Sequence, residues 1–188
     1  MKVLGIQTSP NEDGLTATTA QMALDGAQAA GATSELIHLC KAKLEACRQC
    51  ENGWGRCRRE GKCIIEDDFE KIRGQIGAAN AVVISTPVYF GDLSEVAKVF
   101  FDRLRRCERH SDPSSLKGTA VLSIAAAGGG GGGGPTTLVN LERYYGVLGW
   151  PVFDGMIVTR RSREYMLVAA RAAGEKLVRH VEEQKAAS

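Results

Sequence analysis

No apolar run in this sequence approaches the roughly 20 residues that a helix needs to cross a bilayer, so a membrane role is not expected. The opening stretch, Met1-Lys2-Val3-Leu4-Gly5-Ile6, carries one charge and lacks a long apolar core and a small-residue cleavage site, which argues against a secretory signal. An excess of one charge is missing too. The 24 basic and 22 acidic residues leave +2, which argues against a general nucleic-acid binder. The three histidines, His38, His110 and His180, show no metal-ligand spacing and are expected at the surface. Neither common phosphate loop is present, since the chain has no Walker ending and no GxGxxG. These absences predict a cytoplasmic protein. In a reducing compartment its six cysteines read as thiols or metal ligands, not disulfides.

What is present is a regular alternation. At 188 residues the chain is large enough for one domain, 1–188, with a real core. Strand-like runs are expected at Lys2 to Thr8, Ser34 to Leu39, Ala81 to Ser85, Thr119 to Ala125 and Pro151 to Val158. Helical segments fall between and after them: Thr16 to Ala30, about Asp67 to Ala78, Ser94 to Arg109, Thr136 to Leu148 and Arg163 to Glu183. Five strands alternating with five helices predict an α/β fold, a doubly wound five-stranded parallel sheet. The order 2-1-3-4-5 is favoured, with its switch point between strands one and three.

In such a sheet the loops after strands one, three and four meet at one end, where ligands bind. The first, Thr8 through Thr19, is rich in hydroxyls and enters a helix N-terminus, which suits an anion. The second, Ser85-Thr86-Pro87-Val88-Tyr89-Phe90-Gly91, follows a doubly buried strand and offers two aromatics to a flat ligand. The third runs from Ala125 into seven consecutive glycines, Gly128 to Gly134, whose first members suit close approach of backbone to a ligand face.

Taken together, Lys2-Val-Leu-Gly-Ile6 leading into Ser9-Pro10 and Gly14-x-Thr16, then Ser85 to Gly91, then the glycine loop, resemble the NAD(P)H-dependent FMN reductase family. Within it the chain looks most like the branch of the iron–sulfur flavoproteins. The resemblance runs from Met1 to about Leu148 and implies a flavodoxin-like fold that binds FMN. By position it implies that Ser9, Asn11, Gly14, Thr16 and Ala17 face the FMN phosphate. Pro87, Val88, Tyr89, Phe90 and Gly91, with Ala127, Gly128 and Gly129, would line the isoalloxazine ring. Asn11 and Leu15 stand where members often carry Arg and Asn, so backbone amides and Thr16 carry more of the phosphate. The resemblance also implies NAD(P)H as co-substrate and a homodimer or homotetramer.

Between the second strand and second helix lies an excursion, residues 44–66, rich in Cys, Gly and Arg. Cys47-x2-Cys50-x6-Cys57-x5-Cys63 places four thiols within seventeen residues. Such a set can ligate a [4Fe–4S] cluster or zinc, or act as free or reversibly oxidised thiols. Related iron–sulfur flavoproteins have a more compact run, and here residues 51–56 widen the middle gap. Cys40 and Cys107 read as packed thiols. Arg48, Arg56, Arg58, Arg59 and Lys62 form a basic run, either a solvated face or an attraction for NADPH phosphates or an acidic partner.

The leading functional reading is an FMN-dependent oxidoreductase that moves hydride or electrons between NAD(P)H and a small-molecule or protein acceptor. No side-chain catalyst is expected. The alternative is an iron–sulfur flavoprotein electron carrier or a thiol redox sensor. A response-regulator-like module is disfavoured, because Ser85 and Thr86 stand where it needs an Asp.

Overall fold

A computed structural model describes residues 1–110 and 116–187. Its sheet has five strands, all parallel, in the order β2-β1-β3-β4-β5. The strands are β1 (Lys2–Gln7), β2 (Thr33–His38), β3 (Ala81–Pro87), β4 (Ala120–Ala127) and β5 (Val152–Thr159). The helices are α1 (Leu15–Ala29), α2 (Arg56–Glu60), α3 (Phe69–Gly77), α4 (Glu95–Glu108), α5 (Gly134–Leu148) and α6 (Arg163–Ala186). Central strands covered on both faces need apolar residues throughout. Every residue of β3 and β4 is buried, whereas the outer strands β2 and β5 keep exposed positions.

Successive residues of a strand point to opposite faces, and the core divides accordingly. On one side Val3, Val83 and Leu122 pack with Leu24 of α1 and Leu177 and Val178 of α6. On the other, Leu4, Val82 and Ile84 pack with Phe69 of α3, Phe100 and Phe101 of α4, and Tyr145 of α5.

The α1–α6 contact is set by two glycines. A Cβ built on Gly26 would lie 1.8 Å from the Arg171 carbonyl oxygen, and one on Gly174 would lie 1.8 Å from that of Ala23. The two backbones therefore touch with nothing between them.

Element ends differ from the sequence expectation by a few residues. The strands β3 and β4 run on to Pro87 and Ala127, carrying two residues further toward the loops. α5 begins at Gly134 rather than Thr136, with Pro135 in its first turn, where a missing N–H costs nothing. The excursion is not wholly irregular. It contains a single 3-10 turn, Glu51–Gly53, and the short α2. His38 is half-buried rather than superficial, with its Nδ1 2.7 Å from the Gln7 amide nitrogen.

Candidate functional site

The three loops are tied to one another at the carboxyl end of the sheet. Thr8 N–H donates to the Ser85 carbonyl at 3.0 Å, joining the ends of β1 and β3. Ser94 donates through Oγ to Thr8 Oγ1 at 2.9 Å, and its own N–H donates to Thr86 Oγ1 at 3.3 Å. The same Ser94 caps α4, accepting from Ala97 N–H. Ser85 Oγ donates to the Thr16 carbonyl at 2.9 Å and fixes the start of α1 against β3. Val88 N–H donates to the Ala126 carbonyl at 2.9 Å, which joins the second loop to the third.

In the first loop Gln7 is fully buried and grips Ser9 from both sides. Its Oε1 accepts from Ser9 N–H at 2.8 Å, and its Nε2 donates to the Ser9 carbonyl at 3.0 Å. Ser9 Oγ in turn accepts from Asn11 N–H at 3.1 Å. α1 then starts after Gly14 without a side-chain cap. The first N–H groups of a helix have no partner within it, so this end presents bare donors and the positive end of the dipole. Thr16 and Ala17 lie buried in that first turn, and Asn11 is exposed at its lip. Glu12 would oppose an anion there, but its carboxylate is 2.6 Å from Lys41 Nζ. That hydrogen bond and charge hold the Glu12 carboxyl below its ordinary pKa. Paired with the cation, Glu12 adds no net charge to the loop, whose remaining carboxylate is the exposed Asp13.

The second loop ends in a tight turn. Tyr89 and Asp92 exchange both backbone hydrogen bonds, and the two residues between them, Phe90 and Gly91, have φ of 51° and 82°. Two positive φ angles make a primed turn, which a bulky side chain at the first position resists. Phe90 nevertheless holds that position with its ring fully exposed, and Tyr89 is 40% exposed beside it. Pro87 is buried and Val88 half-buried at the base of the turn.

The glycine run splits into two parts. Gly128, Gly129 and Gly130 are exposed, and a Cβ on any of them would meet nothing within 4 Å. Gly133 is pressed against the turn, and a Cβ there would come within 2.7 Å of Gly91 Cα and 2.8 Å of Val88 Cγ1. A Cβ on Gly134 would come within 2.6 Å of Ile157. The early glycines thus face open space after Ala127, while the late ones serve packing.

The cysteine excursion leaves the body through a narrow neck. Lys43 N–H donates to Asp68 Oδ2 at 2.7 Å, Glu45 N–H to Asp67 Oδ2 at 2.9 Å, and Asp68 N–H to the Lys43 carbonyl at 3.1 Å. Asp67, rather than Asp68, also caps α3 by accepting from Phe69 N–H. Arg103 of α4 pins this neck. Its Nη1 and Nη2 reach the two Asp67 oxygens at 2.6 and 2.9 Å, and Nη1 also donates to the Glu45 carbonyl. Burial opposes the Asp67 charge, but the Arg103 hydrogen bonds and two backbone N–H donors overcome it, leaving its pKa below the ordinary value.

Further inside the excursion, charged side chains of α3 and α4 hold its backbone directly. Arg73 donates to the Gly61 carbonyl, Arg106 to the Gly53 carbonyl, and Glu70 accepts from Cys63 N–H. Around Cys50 the chain bends sharply, with Gln49, Glu51 and Asn52 all at positive φ. Arg48, Arg56 and Arg59 are each held in an ion pair, with Glu45, Glu60 and Glu51.

Cys47, Cys50, Cys57 and Cys63 line one pocket, of about 370 Å3 including its open mouth, with Arg48, Arg56, Arg103 and Arg106. Cys107 lies on its floor, where burial pushes its thiol up to about 12, so it stays neutral. Among the described residues no three His, Cys, Asp or Glu side chains converge closely enough to hold a single metal ion. The four cysteines share the lining of this pocket without meeting at a point.

Gln7, Ser94, Arg103 and the pocket face of Cys107 were not expected from the sequence. The signal for Arg103 was present, since it occupies core spacing on α4 between Phe100 and Cys107.

Residues 1–162 match the family model described as NADPH-dependent FMN reductase. An iron–sulfur flavoprotein of Methanocaldococcus jannaschii is 36% identical over 105 residues, 56% of this chain and 52% of that protein. One of Methanosarcina thermophila is 28% identical over 124 residues, 66% of this chain and 63% of that protein. The matched part thus spans about half to under two thirds of these relatives' length. Among solved structures, a flavone reductase superposes with a TM-score of 0.78 at 19% identity, over 100% of this chain and 65% of that one. An NAD(P)H:quinone oxidoreductase from Methanothermobacter marburgensis gives 0.67 at 19% identity, over 94% and 98%. At such identities the superpositions speak for the flavodoxin-like fold alone.

Proposed function

Because the chain belongs to the NADPH-dependent FMN reductase family, we propose that it is a flavin-dependent oxidoreductase that holds FMN where its three loops meet. The observation that carries this reading is an uncapped helix start and a row of glycines with open space in front of them, both at the carboxyl end of the sheet. One anion site adjoins one flat face, which suits a mononucleotide. Ser9, Asn11, Gly14, Thr16 and Ala17 receive the phosphate, with the amides of the first turn of α1 as principal donors. Pro87, Val88, Tyr89, Phe90 and Gly91 on one side, and Ala127, Gly128 and Gly129 on the other, border the ring.

FMN, when bound, supplies the capacity to take a hydride from a reduced nicotinamide and to release electrons singly or in pairs. The chain's own residues bind and orient. Loop amides address the edge of the ring, Glu12 is kept neutralised by Lys41, and Tyr89 and Phe90 shape the face open to a nicotinamide or an acceptor. The acceptor is a small molecule or a partner protein, and the working form is a homodimer or homotetramer.

The cysteine pocket favours a second component of the same reading. Four cysteines lining one pocket are the ligand number of a [4Fe–4S] cluster. Cys47, Cys50, Cys57 and Cys63 are the thiols that would hold it, and the arginines at the rim suit its negative charge. In that case the protein passes electrons between flavin and cluster. The names of the two iron–sulfur relatives support it.

Purification without oxygen, followed by flavin, iron and zinc quantification, tests both parts. Bound or added FMN is expected to be retained, and FAD is expected to substitute poorly. A protein that carries no flavin absorbance and takes up no added FMN overturns the main reading. Flavin without iron leaves an FMN oxidoreductase whose excursion works through its thiols.

A further inference from the structure

Arg103 has one hydrogen-bond donor that the fold does not use. The residue is 1% exposed, and its guanidinium lies 4.3 Å over the Phe69 ring. Both terminal nitrogens are engaged, bidentate to Asp67 with a further bond to the Glu45 carbonyl. The Nε–H is buried and has no partner. An orphaned donor of this kind is costly, more so when charged, and most native buried donors are satisfied. Arg103 also lines the cysteine pocket, and Cys63 is its near neighbour there, close enough to bear on the guanidinium charge.

We propose that Arg103 is the positioning residue of the cysteine pocket, its Nε–H kept free to donate to the sulfur of Cys63 in the anionic group held there. The inference rests on the cluster reading above. The two ends of the guanidinium then do different things. The Asp67 side closes the neck, so that Cys47 and Cys63 start from fixed points just inside it. The Nε side, without a partner in the protein, is left for the ligand. A hydrogen bond to a ligating thiolate withdraws electron density from the sulfur and stabilises the reduced, more negative cluster, which raises its reduction potential. The Asp67 carboxylate fixes the plane of the guanidinium, and a planar fork cannot turn its Nε away without breaking both Nη bonds.

The test uses the full chain, reconstituted anaerobically with iron, sulfide and FMN. Removing Arg103 alone strands a buried carboxylate, so the main variant is the pair Arg103→Met with Asp67→Asn. Replacing a buried ion pair by groups of similar volume is often tolerated. The side-chain amide oxygen left at position 67 can still accept from a neighbouring backbone N–H. The expected result is unchanged circular dichroism and FMN content, with the cluster midpoint, read by EPR-monitored redox titration, shifted negative. Loss of iron from a folded, FMN-containing variant also supports the assignment. Should the pair fail to fold, Arg103→Lys reads the same way, because it keeps the charge beside Asp67 and withdraws the Nε donor. A wild type that takes up iron and sulfide, with a variant of unchanged midpoint, overturns this inference alone. A wild type that takes up neither overturns the cluster reading and the inference with it.

Discussion

Ser94, at the head of α4, donates to Thr8, at the end of β1, across 2.9 Å and 86 residues of sequence. Both side chains are buried, so the bond is shielded from water and fixes the second loop against the first. Phosphate end and ring end of the proposed flavin site are thereby held in one frame.

Ser94→Ala removes the α4 cap and this bridge at once. Loss of a Ser cap costs about 1 kcal/mol, and the unpaired Thr8 hydroxyl adds to it. The urea midpoint of the flavin-free protein is expected to fall, and FMN affinity to drop several-fold. Unchanged affinity, measured by flavin fluorescence, would show that the loops hold their places without the bridge.

The glycine run separates binding from packing. Gly128→Val places its side chain in open space and is expected to weaken FMN binding with little change in melting temperature. Gly133→Ala drives a methyl into Gly91 and Val88 and should cost about 1–3 kcal/mol in the flavin-free protein. Gly91→Val should damage both, because φ of 82° strains any β-branched residue. Equal losses of stability at positions 128 and 133 would erase the distinction.

At the α1–α6 contact, Gly26→Ala and Gly174→Ala each force two backbones apart. Each should lower the unfolding free energy by about 1–3 kcal/mol, with FMN affinity intact well below the melting temperature. A melting temperature matching the parent chain would mean that the helices separate at no cost.

Asp67 makes the neck acid-sensitive in a definite direction. Its folded pKa lies below the ordinary 3.8, so its contribution is complete above that value and disappears as pH falls through the lower folded one. Asp67→Asn should therefore lower stability at pH 7 and flatten the decline below about pH 4. Parallel urea midpoints for both proteins from pH 7 to pH 3 would contradict this.

Changing Cys50 and Cys57 together to Ser should leave FMN bound, since both line the cysteine pocket and belong to none of the three loops. Any iron and its broad visible absorption should be lost, or, in a protein without metal, the thiol titration should change. A folded double variant without flavin would merge the proposed flavin site with the cysteine pocket.

The sheet was legible because period-two patterning and continuous apolar runs are local properties. Val82-Val83-Ile84 and Val121-Leu122 announce strands buried on both faces, and the crossover rule orders them. The three loops followed from topology, since strand ends in such a sheet converge whatever their sequence. The excursion was not legible in the same way. Its order comes from side chains reaching backbone over long separations, such as Arg103 to Glu45 and Arg106 to Gly53, which leave no periodic trace. Nor do seven identical glycines reveal which of them touch neighbours. The turn at Phe90 and Gly91, and Ile157 of β5, both from elsewhere in the chain, decide that.

The neck at Lys43, Glu45, Asp67 and Asp68 has a consequence for chain length. Once its ends are joined, the segment between Glu45 and Asp67 is a closed loop of 22 steps, held further along at Gly53, Gly61 and Cys63 by side chains of α3 and α4. Closing a loop twice as long costs only about 0.6 kcal/mol more in chain entropy. Residues added beyond the neck, away from those three anchor points, therefore leave the strand register undisturbed. The six residues between Cys50 and Cys57 are a graft point for a different ligand set on an unaltered flavodoxin-like frame, provided that the backbone acceptor for Arg106 at position 53 is kept.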